Sequence, residues 1–373
     1  MNIGIVGAGI FGAAAALELG ERGHAVAVFE QGRVPYEHAS STDASKTIRR
    51  LYGRNRTYVE LVERAAVRWR EWQERLGVPI YFQTGQLQIE QYFRAGYRIY
   101  ESWEFLEGRE PRIEILTPGA ASARYPQFAY RDGDVCLYDP WGGYVASADA
   151  VAGVVRLARE AGVDVCEDSP VSDVFETSDG ACVRIGGRTR SFDAVVVAAG
   201  VWTGRLLPGV GRHIGPTLQE MVFLRPRDPS VLAPGGLPVW SVNPEVDGWY
   251  GHPVRGAGLV KIANDVRGEL VDADAPRIVR QAFLESVRAF VAERLPALED
   301  AELVDSRACL YEDTPDHDFI IDWVPGSDRV LAACGGSGHG FKFGGSIGGV
   351  IADAVERRDS PPGVMFRLAG RFR

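Results

Sequence analysis

The chain has 373 residues, enough for two domains and more than one hydrophobic core. Its 46% apolar and 24% charged residues are a soluble, globular balance that excludes a disordered chain. A net charge of −9 lacks the basic footprint of a nucleic-acid binder, and no stretch is long and apolar enough for a membrane span.

The first element is a short apolar strand, residues 2–6, running into Gly7-x-Gly9-x-x-Gly12. An Ala-rich helix follows, and a second strand, Ala25-Val26-Ala27-Val28-Phe29, ends at Glu30. Gly7 permits a tight turn, Gly9 lets a pyrophosphate approach the backbone, and Gly12 lets the helix pack closely on the strand. The helix N-terminus faces the phosphates. Glu30, roughly 18 residues beyond Gly12, is placed to accept hydrogen bonds from a ribose diol. The order of strand, glycines, helix, strand and acid predicts a dinucleotide site, without separating NAD from FAD. Residues 1–17 carry no charge, but without a basic n-region they are no signal peptide, and a cytoplasmic setting is expected.

Further along, Asp43-Ala44-Ser45-Lys46-Thr47-Ile48-Arg49-Arg50 contains two arginines that read, by themselves, as a solvated basic turn. Arg50 is expected to be just that. Helical periodicity marks 57–77 through Tyr58, Leu61, Val62, Ala65, Val67 and Trp69. Alternation near a period of two predicts a strand pair over 80–90. Residues 148–160 read as a helix, and Gly186-Gly187 as a hairpin turn. A long apolar strand within 192–202 ends in Ala198-Ala199-Gly200, whose small residues permit close approach to a ligand. Strand-like runs fill 236–262, and 276–293 is an amphipathic helix.

The richest segment begins at Arg307-Ala308-Cys309-Leu310-Tyr311. It continues through Thr314-Pro315-Asp316-His317-Asp318-Phe319 to Gly338-His339-Gly340-Phe341-Lys342-Phe343. A helix over 346–355 follows, so backbone N–H groups and a positive helix end converge on one spot. Five scattered cysteines without a CxxC pair give neither a disulfide framework nor zinc, and no metal is expected. Of 41 basic residues only three are lysine: Lys46, Lys261 and Lys342. Arg is always charged, whereas a buried Lys can lose or gain a proton. The three lysines are therefore candidates for sites that reject a guanidinium. The expected organisation is α/β and interleaved. Residues 1–79, 145–210 and 305–373 would build a nucleotide domain, and 80–144 with 211–304 a sheet-rich substrate domain.

From Gly7-x-Gly9-x-x-Gly12 to the last helix, the sequence resembles the monomeric sarcosine oxidase family. That family includes N-methyltryptophan oxidase and the fructosyl amino acid oxidases, or amadoriases. The Cys-Leu-Tyr, Thr-Pro-Asp-x-x-Phe-Ile-Ile-Asp and Gly-His-Gly-Phe-Lys-Phe series carries the likeness. It implies a two-domain flavoprotein of the D-amino-acid-oxidase and glutathione-reductase type, with a Rossmann-like FAD domain and an antiparallel-sheet substrate domain. It also implies oxidation of the C–N bond of a secondary amino acid, O₂ being reduced to H₂O₂. The partners are then a small amino acid or amine and O₂, in a monomer or small homo-oligomer. Cys309 matches the cysteine that holds the 8α position of the flavin in a thioether. Further flavin contacts implied are Gly7, Gly9, Ile10, Phe11, Gly12 and Glu30 at the first turn, and Ser45 and Lys46 after it. Val171, Ala199, Gly200 and Trp202 would follow, then Gly338, His339, Gly340, Phe341 and Lys342.

Among implied catalytic residues, Lys342 matches a lysine near flavin and substrate carboxylate, and Lys261 a lysine implicated in O₂ activation. Arg49 matches the arginine that pairs with the substrate carboxylate, a task its planar fork suits. Tyr250 and Tyr311 match aromatic positions of the substrate pocket. His339 is expected to position the Gly-rich loop rather than act as a base. Two departures bear on substrate. Lys46, in an Asp-x-x-Lys run, is amadoriase-like where sarcosine oxidases carry Arg. Asp265 stands where sarcosine oxidase has a histidine, and could bind an ammonium or a sugar hydroxyl, or be turn chemistry. Competing readings are a flavin dehydrogenase with another electron acceptor, a nicotinamide-dependent dehydrogenase, and a non-catalytic flavin-binding subunit.

Overall fold

The computed structural model describes residues 1–373 except 234, 247, 358–363, 369 and 373, and residue 255 by its backbone alone. The apolar strands near the N-terminus pair where their patterns demand burial on both faces. Asn2–Val6 lies between Ala25–Phe29 and Ala194–Val197, parallel to both. Val330–Cys334 and Asp164–Cys166 extend this parallel sheet, and antiparallel Ile320–Trp323 closes it as a sixth strand.

The Ala-rich helix Ile10–Glu21 is buried nearly all round because helices lie on several sides of it. Helix Arg56–Leu76 starts where Asn55 Oδ1 accepts the N–H of Tyr58 at 3.2 Å. It packs with Gly344–Val355 and Ser147–Glu160 in one core on that face. The other face is covered by the three-stranded sheet Val171–Glu176, Ala181–Ile185 and Arg188–Phe192, whose predicted hairpin forms.

A second sheet has eight strands, in the order Glu302–Asp313, Gly215–Arg225, Leu259–Asn264, Trp249–Val254, Val239–Val242, Gln86–Glu90, Val135–Asp139 and Glu114–Leu116. Only the junction of Val239–Val242 with Gln86–Glu90 is parallel. Strand alternation divides its residues sharply. Leu87, Ile89, Val222, Leu224, Trp240, Val242, Val260 and Ile262 pack with Phe283, Val287, Phe290 and Val291 of helix Gln281–Arg294. Registers place Gln88, Ser241, Tyr250, Ala263, Lys261, Cys309 and Tyr311 on the opposite face. That polar face is the floor of the site.

Four expectations change. Residues 80–90 do hold two strands, but they do not pair with each other. Tyr81–Phe82 joins Gly143–Val145 in a small sheet with Lys46–Ile48, while Gln86–Glu90 enters the large sheet. Glycine at 85 and the sheet change at that point were not visible as a period. The helix predicted from 276 begins at Gln281, because the Arg280 N–H and guanidinium are both engaged by Glu220. The helix predicted from 346 begins at Gly344, preceded by a single 3₁₀ turn. Strand Glu302–Asp313 spans the 304/305 boundary drawn from sequence.

Candidate active site

The glycine turn is built as a cradle. Gly7 has φ +99°, and a Cβ there would lie 2.4 Å from Ala198 O. A Cβ on Gly12 would lie 2.0 Å from Gly7 O, so Gly12 serves helix-to-turn contact and does not face the cavity. The Ile10 N–H donates to Ser41 Oγ at 3.0 Å. Glu30 is buried, and its Oε2 accepts the Ala8 N–H at 2.7 Å while Oε1 accepts that of Gln31 at 2.8 Å. Burial pushes its carboxyl up, and these N–H groups oppose the shift. Glu30 thus braces the turn as well as facing the cavity beside it.

That cavity is about 250 Å³. Gly7, Gly9, Ile10, Phe11, Glu30, Val171, Ala199, Gly200 and Trp202 line it, with Gly338, Gly340 and Phe341 from the C-terminal loop. Gly338 has φ +72°, and a Cβ on it would lie 2.5 Å from the Tyr311 ring, so the loop must pass that ring as glycine. Sequence reasoning missed Tyr36, Ser40, Ser41, Arg205 and Glu312, which also line the cavity. The hydroxyl run Ser40-Ser41-Thr42 was the available signal, since Ser40 Oγ donates to Leu310 O at 2.6 Å and locks this loop to the Cys309 strand.

A second cavity, about 80 Å³, shares Lys46, Tyr311, Gly338 and Phe341 with the first. Arg49, Tyr250, Lys261, Asp265, His339 and Lys342 line it, so all three lysines of the chain meet there. Asp43 binds two of them. Lys261, 1% exposed at its side chain, ion-pairs Asp43 Oδ2 and donates to Ser45 O at 3.2 Å. Lys46 Nζ lies 3.2 Å from the same Asp43 oxygen. Burial alone would raise the Asp43 carboxyl, but Lys261 and Lys46 hold it below the usual carboxylate range. Burial lowers Lys261, against the attraction of Asp43. Burial and the charge of Arg49 push Lys342 well down, and its Nζ donates to His339 O at 2.9 Å.

Arg49 donates to Leu51 O at 2.6 Å and stands over the Tyr52 ring at 4.6 Å. The Tyr250 and Tyr311 hydroxyls are 3.3 Å apart. Asp265 is exposed at this cavity, its N–H on Gly248 O at 2.8 Å, with Arg49, Lys342 and Arg98 as the cations acting on its carboxylate. It is both a turn residue and a cavity residue. Cys309 follows the face of Tyr311 by alternation and touches the small apolar cluster beside Tyr250, without lining either cavity. Ser45 is fully buried, its Oγ 3.2 Å from His252 Nδ1, and it too lines neither cavity.

The expectation for Arg50 is overturned. It is 0% exposed and makes a two-point contact with Asp139, Nε to Oδ2 at 2.9 Å and Nη2 to Oδ1 at 3.0 Å. Alternation around strand Lys46–Ile48 sends Arg49 and Arg50 to opposite sides, one to the cavity and one inward. His339 donates through Nε2 to His317 O at 2.9 Å and accepts from Tyr52 OH at 3.3 Å. Burial keeps its imidazole neutral, and the two bonds fix the loop. Buried His252, beside Lys261, is pushed down to about 3 and is a poor base. Among the described residues no cluster could hold a metal ion.

A glycine cradle for a dinucleotide opens through Tyr311 into a cavity lined by cations, the layout of a dinucleotide-dependent enzyme. The chain belongs to the DAO family of FAD-dependent oxidoreductases, whose model matches residues 2–354. It is similar to the N-methyl-L-tryptophan oxidase of Salmonella agona, 28% identical over 376 residues, covering 98% of this chain and 97% of that one. Among solved structures, glycine oxidase from Geobacillus kaustophilus superposes with a TM-score of 0.83, at 24% identity, over 100% of this chain and 99% of that one. Amadoriase I from Aspergillus fumigatus gives 0.81 at 21% identity, over 98% of this chain and 89% of that one. The chain is thus an FAD-dependent oxidoreductase. The residues fit that cofactor: a side chain on Gly7 or Gly338 would collide with the wall, and Glu30 stands at the cavity's edge.

Proposed function

We propose that the protein oxidises the C–N bond of a secondary, N-substituted amino acid. The substrate loses two electrons and two protons to become an imine, water hydrolyses the imine, and O₂ takes up both electrons and protons as H₂O₂. FAD, when bound, supplies the two-electron acceptor. Gly7, Gly9, Glu30, Gly338 and Gly340 would hold it along the larger cavity. One observation carries the reading. The smaller cavity joins the larger one at Tyr311 and presents Arg49 and Lys342 together. Those cations suit an α-carboxylate. They would orient the substrate with its nitrogen toward Tyr250 and Tyr311. The activity for which the N-methyl-L-tryptophan oxidase relatives are named supports an N-substituted amino acid.

Lys261 takes the oxygen side of the reaction in this reading, as a buried amine held by Asp43. Cys309 would carry the flavin 8α thioether. Burial and Asp43 raise its thiol, and Lys46, Lys261 and Arg277 offset only part of that rise, so it rests as a thiol until the bond forms. The segments around the parallel sheet, 1–79, 145–210 and the chain after strand Glu302–Asp313, serve as the FAD domain, and the remainder with that strand as the substrate domain. Five unpaired cysteines favour a reducing, cytoplasmic setting. No described helix is long and apolar enough to cross a membrane.

A peroxide assay over sarcosine, N-methyl amino acids, proline, pipecolate and fructosyl amino acids tests the function. Substrate-dependent bleaching without peroxide would mean another electron acceptor. Acid precipitation tests the linkage: yellow protein in the pellet supports Cys309, and colour left wholly in the supernatant refutes it.

A further inference from the structure

The smaller cavity has a wall that the proposed reaction leaves unused. Gln88 stands opposite Ser241 where strands Gln86–Glu90 and Val239–Val242 run parallel. Alternation puts Gln86, Gln88 and Ser241 on the same sheet face as Tyr250, and all three line the cavity. Gln86 is 2% exposed and Ser241 6%. Yet Gln86 Oε1 and Ser241 Oγ have no hydrogen-bond partner among the described residues. Buried polar atoms are nearly always paired, because an unpaired one forfeits its hydration without return. An apolar pair at these positions would avoid that loss, so the polar choice points to a ligand that completes it.

The charge at this end narrows the ligand. Arg98 reaches the cavity, but its guanidinium is 3.7 Å from Glu245, and Asp265 is a second carboxylate nearby. The cation there is already balanced. A carboxamide or hydroxyl matches a Gln amide and a Ser hydroxyl, each of which donates and accepts. We propose that Gln86 and Ser241 form a specificity subsite for an uncharged hydrogen-bonding group on the substrate's side chain or N-substituent. This rests on the reading of the cavity as an amino acid site.

Two pairs of near-isosteres test it by kcat/KM: N-methyl-L-asparagine against N-methyl-L-leucine, and N-(2-hydroxyethyl)glycine against N-propylglycine. In the wild type at least one polar member should exceed its apolar partner by about 10–100-fold. The double variant Gln86→Leu with Ser241→Ala should abolish that preference. Equal or apolar preference in both pairs overturns the subsite, as does a polar preference that survives in the variant. If the variant does not fold, the wild-type ratios alone decide. N-methyl-L-aspartate exceeding N-methyl-L-asparagine overturns the uncharged assignment. Oxidation of none of the five compounds overturns the reading of the cavity itself, and the subsite with it.

Discussion

Asp43 is what allows Lys46 and Lys261 to share one cavity. Two ammonium groups a few ångströms apart would repel, and one carboxylate between them leaves a single net positive charge in place. Lys261→Met removes that charge from the reacting end. Regain of flavin colour under O₂, followed by stopped flow, should slow by about 10²–10³-fold, the usual cost of one electrostatic donor. Anaerobic bleaching by substrate should change little, whereas Lys342→Ala should impair it. Glu90 gives a pH prediction. It is 4% exposed, and burial pushes its carboxyl up to about 7, against the Gln88 amide that donates to it at 2.6 Å. The folded protein therefore binds a proton that the unfolded chain, titrating near 4.5, has already released. Stability should fall as pH rises from about 4.5 to 7, by on the order of 3 kcal/mol from this group. Glu90→Gln should flatten that part of a Tm-against-pH curve. The lysines were legible because composition singled them out. Asp43 as their counterion was not, since it meets Lys261 across 218 residues of sequence. Arg50 misled for the same reason: a neighbour in sequence says nothing about which side of a strand a partner such as Asp139 occupies.

Among elements, the helix Gly344–Val355 is held by close backbone crossings. A Cβ on Gly348 would lie 2.4 Å from Ala14 O in helix Ile10–Glu21. Gly348→Ala should therefore push two helices apart behind the cradle and cost about 1–3 kcal/mol. Gly349→Ala, whose Cβ would meet nothing nearer than Arg22 at 3.9 Å, should be neutral or stabilise by about 0.5–1 kcal/mol. Denaturant titration of the two variants checks the contrast. Sequence periodicity located helix Arg56–Leu76 within a residue at each end, because its apolar stripe and its burial coincide. It misjudged 80–90, because strand partners are a tertiary choice that alternation does not encode. It also placed the start of Gln281–Arg294 too early, because the side chain that stops the helix answers to Glu220 on a distant strand.

Across the whole molecule, the cofactor is expected to act as a strut between the parallel sheet and the polar face of the large sheet, since its cavity takes residues from both. On the proposed thioether, Cys309→Ala should leave binding reversible, and its Tm should climb with added FAD while that of the wild type does not. At 100 times Kd the gain is about 2.7 kcal/mol. The two-domain plan was legible in the order of segments, because the glycine turn, the Ala-Ala-Gly strand and the last helix must converge on one ligand. The lysine distribution has a practical side. With Lys46, Lys261 and Lys342 all gathered at one cavity, the outer surface carries no ε-amine. Glutaraldehyde should scarcely cross-link the native protein, and a lysine-specific protease should cut only after unfolding. Reductive methylation with ¹³C-formaldehyde should likewise give dimethyl-lysine NMR signals only once the cavity has opened on unfolding.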